Sequence, residues 1–290
     1  MRSRPPARGR TVRRICGADL SVRVRDYRVG SQRVVTDRMC RTRTGRQLRL
    51  AERYALIVAS QTGGMDLSIR TMMLGSVELP EFHPRAAAGE CVIQGFVISH
   101  PDGPIVVDTG VADDHDLINE LYRPTTTPLV AALNEVGIDE RDVTAIINTH
   151  LHFDHCGQNR MLPNVPVFVQ AAEVEAARLP MFTVPEWAEI ADERRRTIDG
   201  DAEIAPGVSV MATPGHTPGH QSVVVRSGDR VEVIVGQCCY TCAEFIDGTV
   251  LPADMHDVSL LDDGLASLER LRGLAPAAGY FSHDIEVFTA

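Results

Sequence analysis

The sequence predicts an α+β fold, with two sheets and helices packed outside them. Three observations lead there. Strand-like apolar runs come in blocks, and each block is followed by a segment with helical spacing. Turn signals divide the runs, as at Pro101-Asp102-Gly103-Pro104 and Ser227-Gly228-Asp229. One apolar run, Val143 to Ile147, opens directly into a stretch dense in histidine.

The elements follow in chain order. Leu67 to Leu79 reads as a first strand pair. Cys91 to His100 is a strand, and Ile105 to Asp108 returns from the turn at 101–104. Leu129 to Val136 is apolar at helical spacing and stops at Gly137. Val143 to Asn148 is the strand that feeds the histidine-rich loop. Val165 to Gln170 is a strand, and Ala171 to Leu179 is an alanine-rich helix. Val208 to Ala212, Ser222 to Arg226 and Val231 to Val235 are strands. Leu260 to Leu274 is an amphipathic helix, and Ala278 to Ser282 is a short strand that presents His283. Residues 180–200 carry Pro180, Pro185 and Trp187, then the charges Asp192 to Arg196. They read either as the wall of a cleft or as a solvated helix.

Charge is segregated. The chain has no lysine, so its 29 basic residues are all arginine. Residues 1–53 hold 16 Arg against four acids, a balance of +12; the remainder holds 13 Arg against 35 acids, or −22, and the two sum to the net −10. Such a start can bind nucleic acid or an acidic surface. Its low apolar content and lack of periodicity favour a disordered leader over residues 1–64, with Met65 as an alternative start. The arginine-rich start lacks the apolar region of a secretory signal, and no apolar run reaches the length of a membrane span. A cytoplasmic location is the expectation. Seven cysteines follow no disulfide-scaffold spacing.

The chemistry concentrates at Thr149-His150-Leu151-His152-Phe153-Asp154-His155. Three imidazoles and a carboxylate at a strand end are costly to bury without partners, and a metal ion satisfies all of them. Neutral imidazole and carboxylate suit zinc and its neighbours in the first transition row. His150 and His152 sit two apart on an extended segment, so their side chains point the same way.

His-x-His-x-Asp-His resembles the metal signature of the metallo-β-lactamase superfamily. Ile105-Val106-Val107-Asp108-Thr109-Gly110, the stretch from Thr213 to Ser222, and Phe281-Ser282-His283-Asp284-Ile285-Glu286 resemble further motifs of that family, in its order. Leu151 to His155, Gly219-His220-Gln221-Ser222 and His283 to Glu286 look most like the N-acyl-homoserine lactone lactonases. The resemblance runs from about Met65 to the C-terminus. It sharpens the fold to an αβ/βα four-layer sandwich with metals between the sheet edges.

The resemblance also assigns roles. It implies that His150, His152 and His220 hold a first zinc, and that Asp154, His155 and His283 hold a second. His216, in a repeated Thr-Pro-Gly-His, is expected to support the ligands rather than join them. Asp108 is expected to orient a ligand histidine. His83, His100, His115 and His256 match no motif and are expected at the surface or in loops. The implied activity is opening of a lactone ring by a metal-bound hydroxide. Tyr240 would donate to the oxyanion, and Asp154 would pass a proton to the leaving alkoxide. The segment Val111 to Pro128 holds Leu117, Ile118, Leu121 and Tyr122, which either line an acyl groove or pack as a helix face.

One departure stands out. The family places a bridging aspartate three positions before the tyrosine, and this chain has Gln237 there. Either Gln237 contacts a metal weakly, or Cys238 supplies a thiolate instead. The Cys238, Cys239 and Cys242 cluster also reads as a zinc knuckle or as plain packing. Because of this departure, a hydrolase of the same fold acting on another lactone, a thioester or a phosphodiester stays open. So does a regulatory nucleic-acid-binding protein with a degenerate site. Substrate chain length, metal identity and oligomeric state do not follow from the sequence; the expected partner is a small molecule, with no membrane.

Overall fold

The computed structural model describes residues 66–290 and, ahead of them, only the backbone of four short strands. The chain divides into two compact units, Met1–Gly63 and Gly64–Ala290. In the first, Thr11–Val12 pairs antiparallel with Val22–Arg23, and Asp26–Val29 with Gln32–Val35. The reading of residues 1–64 as a disordered leader otherwise falls outside the described residues.

The second unit carries two sheets. The first contains seven strands: β1 (Ser68–Glu78), β2 (Glu90–Ser99), β3 (Ile105–Val107), β4 (Thr125–Thr126), β5 (Ala145–Ile147), β6 (Val167–Gln170) and β7 (Arg195–Ile198). Their order across the sheet is β7-β6-β5-β3-β2-β1-β4. Strands β3, β5, β6 and β7 run parallel to one another, and the pairs β3-β2, β2-β1 and β1-β4 are antiparallel. The second sheet contains β8 (Ala202–Ala205), β9 (Val208–Ala212), β10 (Gln221–Ser227), β11 (Arg230–Gly236), β12 (Ala278–Phe281) and β13 (Phe288–Thr289), ordered as in the chain. Only β11 and β12 pair in parallel there.

The expected first strand pair at 67–79 is one strand. Gly75 reads as a turn signal, but at φ 135° it makes a bulge, and pairing with β2 continues from Ser68↔Ser99 to Glu78↔Glu90. A side chain at Gly75 would strike the Thr125 carbonyl oxygen at 1.9 Å, so the position excludes any larger residue.

Alternation along the strands builds three apolar layers. Ile105, Val107, Ala145 and Ile147 meet Val208, Val210, Val223, Val225 and Ile234 between the sheets. Val106 and Ile146 face the other way, towards the helices α1 (Asp116–Tyr122), α2 (Leu129–Glu135) and α5 (Pro185–Ala188). Strands covered on both faces show this continuous apolar pattern. On the outer face of the second sheet, Val224, Val233 and Val235 pack on Phe245 of α6 (Cys242–Asp247) and on Leu268 and Leu271 of α7 (Leu261–Arg272). Helix α7 buries Gly264, Ser267, Leu268 and Leu271, one face at helical spacing, with acids in its first turn and Arg270 and Arg272 in its last. Phe96 is fully buried between the sheets, and truncating it to alanine would cost about 3–5 kcal/mol.

The result is a four-layer αβ/βα sandwich. The C-terminal ends of β3, β5, β9, β11 and β12 lead into Asp108, His150, the loop holding His216, Gln237 and His283 respectively. The two remaining helices are α3 (Phe153–Cys156), inside the histidine-rich loop, and α4 (Ala171–Ala176), which is shorter than the helix expected to reach Leu179. Among the described residues no helix is long and apolar enough to cross a membrane.

Candidate metal centre

The loop after β5 is held in place by Asp108. This residue sits at φ 58°, a left-handed conformation that aspartate tolerates, and is buried. Its carboxylate accepts from the Thr149 amide and hydroxyl, each at 2.7 Å, and from His155 Nδ1 at 2.8 Å. Thr149 spends its proton on Asp108, so its oxygen is left to accept from His150 Nδ1 at 3.1 Å. His155 and His150 therefore each keep Nε2 unprotonated and aimed away from these partners. The same logic applies twice more. His216 Nδ1 donates to the Asp254 carbonyl at 2.6 Å, and His283 Nδ1 to the Val92 carbonyl at 2.8 Å.

Two clusters of ligand-capable atoms result. One brings together His150, His152 and His216, the other Asp154, His155 and His283; within each, the atoms lie within 4.8 Å of one another. In the first, His152 Nδ1 is 3.1 Å from His150 Nε2 and 3.0 Å from His216 Nε2. In the second, His155 Nε2 is 3.3 Å from His283 Nε2, and Asp154 Oδ2 is 3.6 and 3.5 Å from these two nitrogens. A shared cation in each cluster would satisfy the Nε2 lone pairs that His150, His216, His155 and His283 direct into it.

The electrostatics of the clusters differ. Burial, reinforced by the neighbouring imidazoles, holds His150 and His216 well below their ordinary value. Burial also lowers His152, to about 4. All three stay neutral at pH 7, the form that binds metal. In the second cluster burial pulls His155 down, but the Asp154 and Asp108 carboxylates outweigh it and raise it. His283 is likewise raised against burial, with Cys91 and Asp154 as the causes. Burial works against the Asp154 charge, yet His155 and His283 bring that carboxyl below its usual range.

The arrangement differs from expectation at one histidine pair. His216, expected to support the ligands, stands among them, whereas His220, expected as a ligand, lies outside both clusters. Both nitrogens of His220 are already used. Nδ1 meets the Thr213 hydroxyl at 2.8 Å and its carbonyl at 3.1 Å; Nε2 accepts from the Gln237 amide at 3.0 Å. Gly236 permits that contact, because a side chain there would come within 2.8 Å of His220 Nε2. Both histidines sit in a repeated Thr-Pro-Gly-His; the motif resemblance selects His220, whereas the ring contacts group His216 with His150 and His152.

Gln237 faces the site. It is buried and lies beside His155, and its Oε1 has no hydrogen-bond partner. A buried, unpartnered carbonyl oxygen beside three ligand atoms fits a bound cation or the water on it. Cys238 points the opposite way and packs in the outer apolar layer with Cys239 and Cys242, where burial pushes its thiol up to about 12. It is not placed to supply a thiolate to the clusters. The cysteine trio also forms no metal-capable group among the described residues.

Sequence reading missed Glu173. This fully buried residue of α4 accepts from the Leu151 amide at 2.9 Å, the Thr217 hydroxyl at 2.7 Å and the Gly219 amide at 3.1 Å. It therefore ties the loop carrying His150 and His152 to the loop carrying His216. Its only signal is an acid in the first turn of a short helix, which is commonplace.

Both clusters lie at the base of a cavity of about 1260 Å³. Leu117, Ile118, Leu121 and Tyr122 of α1 line it with Phe153, Met181 and Phe182, while Ile118 and Tyr122 also pack on the helix-side core. Of residues 180–200, most of 180–190 and Arg195 line the cavity: Pro185–Ala188 is a short helix, Trp187 is buried with its indole N–H on Asp114 at 3.1 Å, and 195–198 is an edge strand. His83, His115 and His256, expected at the surface or in loops, lie in loops and also line the cavity, while His100, just after β2, is buried against the Pro206 carbonyl. The Tyr240 ring is buried at the cavity edge, stacked on His283, and its hydroxyl has no hydrogen bond among the described residues.

Comparison with known proteins bears on the family and the fold. The family model of the metallo-beta-lactamase superfamily matches residues 88–283. An N-acyl homoserine lactonase of Bacillus cereus is 32% identical over 207 residues, covering 66% of this chain and 80% of that protein. N-acyl homoserine lactonase AttM of Rhizobium radiobacter is 31% identical over 232 residues, covering 69% and 81%. Among solved structures, a B. thuringiensis AiiA mutant with N-decanoyl-L-homoserine bound at its active site superposes with a TM-score of 0.63 at 28% identity, over 75% of this chain and 93% of that one. An N-acyl homoserine lactone hydrolase with N-hexanoyl-L-homoserine at its catalytic metal center matches equally well, with a TM-score of 0.63 at 28% identity over the same shares.

Proposed function

The chain belongs to the metallo-β-lactamase superfamily, and on that premise we propose how it works. It is a metal-dependent hydrolase that opens lactone rings, and its substrates are N-acyl-homoserine lactones, which makes it a quorum-quenching enzyme. The observation that carries this reading is the pair of ligand clusters at the floor of an apolar-walled cavity. His150, His152 and His216 would hold one zinc, and Asp154, His155 and His283 a second. When bound, such ions make a nucleophile from water at neutral pH and polarise the carbonyl.

The chain's own groups do the rest. Burial raises the Tyr240 phenol well above its usual range, so it keeps its proton at working pH. Its free hydroxyl can donate to the carbonyl oxygen as negative charge develops there. Asp154, held ionised by its histidine neighbours, can accept a proton and hand it to the leaving alkoxide. The acyl chain would run along Leu117, Leu121, Tyr122 and Met181, away from the polar floor. Ring opening leaves one hydroxy acid, because the leaving group stays tethered, and it releases a proton at neutral pH.

Proton release by the zinc-loaded chain tests this, using short- and long-chain N-acyl-homoserine lactones beside a plain γ-lactone. Rapid release with the acylated substrates is expected. Release with the plain lactone alone would move the substrate class, and no release from metal-replete protein would overturn the reading.

A further inference from the structure

The Tyr240 ring has two close partners. One face of its ring stacks on His283, with centroids 5.1 Å apart and planes 26° from parallel. Against the ring also lies the Arg85 guanidinium, its carbon 4.0 Å from the Tyr240 centroid. Arg85 comes from the loop between β1 and β2, which no motif of the sequence marked. A cation over a tyrosine face is attracted by the ring quadrupole, most strongly where water is kept out, and the Arg85 side chain is only 16% exposed.

The rest of the guanidinium is committed to two carboxylates. Arg85 Nε donates to Asp254 Oδ1 at 3.0 Å and Oδ2 at 3.2 Å, and Nη2 donates to Asp254 Oδ2 at 2.5 Å and to Glu244 Oε1 at 2.6 Å. Neither carboxylate is idle. Glu244 Oε2 accepts from the Tyr240 amide at 2.9 Å and the Thr241 amide at 3.1 Å, as part of the capping box that starts α6. The Asp254 backbone carbonyl fixes His216 Nδ1 at 2.6 Å. Arg85 thus touches the Tyr240 ring, the group that holds the Tyr240 backbone, and the residue that orients His216. A planar fork makes these contacts at once; an ammonium cannot.

We propose that Arg85 is a positioning residue that acts through Tyr240, clamping the phenol so that its hydroxyl is presented to the reacting carbonyl. The proposal rests on the role given to Tyr240 above and adds a residue to it. Arg85 touches neither ligand cluster through its guanidinium, and Asp254 orients His216 with its backbone carbonyl rather than with the carboxylate that Arg85 holds, so removing Arg85 should leave metal content unchanged.

A double-mutant cycle between Arg85→Gln and Tyr240→Phe tests this, with kcat, KM and zinc content measured on all four proteins. The substrate is an N-acyl-homoserine lactone. If the wild-type chain opens no lactone, the substrate reading fails and the same cycle is run with 4-nitrophenyl acetate. The expected result is a fall in kcat of about 10-fold or more for Arg85→Gln, with KM and zinc little changed and almost no further fall once Tyr240 is already Phe. Arg85→Lys, which keeps the charge and folds without stranding two carboxylates, should recover only part of the loss. Equal losses in both backgrounds would overturn the proposal and leave Tyr240 in place. Full kcat in both Arg85 variants would overturn it too. Wild-type turnover by Tyr240→Phe would remove Tyr240 from the reaction and Arg85 with it.

Discussion

The two ligand clusters are built on opposite principles. The first, His150, His152 and His216, is all imidazole and is held neutral by burial. Two of its rings are locked by hydrogen bonds to the Thr149 hydroxyl and the Asp254 carbonyl. The second depends on charge: Asp154 sits between two histidines that it raises, and beside them Gln237 offers an unpartnered neutral oxygen. A neutral, preorganised triad needs nothing but a cation. In the charged triad the carboxylate that attracts a cation also favours protons on His155 and His283, which a metal must displace. The difference predicts that the two metals bind with unequal strength and that the second leaves first.

The largest effect should separate His216 from His220. His216→Ala removes a ligand atom, so it should abolish turnover and lower zinc content by about one ion per chain. His220→Ala should keep both metals and lose stability instead, by about 1–3 kcal/mol, because it strands the buried Gln237 amide. Elemental analysis with thermal unfolding checks both. The reverse result would return His220 to the ligand set.

Next comes Tyr240→Phe, which should lower kcat about 100-fold with zinc content intact. Unchanged turnover would strike Tyr240 from the mechanism.

A smaller effect concerns Glu173. Burial pushes its carboxyl up to about 7 from an ordinary 4.5, against the pull of its three donors. The folded chain therefore holds a proton there that the unfolded chain has lost. Stability from this group is full below the unfolded value and is lost as pH rises through about 7. Glu173→Gln should flatten that dependence between pH 4.5 and 7 and cost about 1–3 kcal/mol, since an amide NH₂ replaces one acceptor facing Thr217 and Gly219. Unfolding curves across this range are the check; an unchanged slope would contradict it.

The smallest effect sharpens the comparison itself. Gln237→Asp restores an anion beside His155 and should raise occupancy of the second metal at limiting zinc. Equal occupancy in both proteins would mean that Gln237 does not contribute to that site.

What was legible in the sequence follows from local pattern. The apolar runs at 105–107 and 145–147 announce strands covered on both faces, and Leu261–Arg272 announces an amphipathic helix by spacing alone. The short strands at 125–126, 195–198 and 288–289 were not legible, since charged or threonine-rich edges carry little periodic signal. In the site, His150, His152, Asp154 and His155 are contiguous, and their density alone marks them. His216 was read as a support and Glu173 was not singled out, because the contacts of both depend on partners far away in sequence. Arg85 is the extreme case: its partners Glu244 and Asp254 lie 159 and 169 positions away.

The most direct test of the two-cluster account is turnover of an N-acyl-homoserine lactone followed against zinc added to metal-free protein. Turnover should stay low while the first cluster fills and rise steeply as the second does, levelling near two equivalents. Full turnover at one equivalent, or none at two, would contradict it.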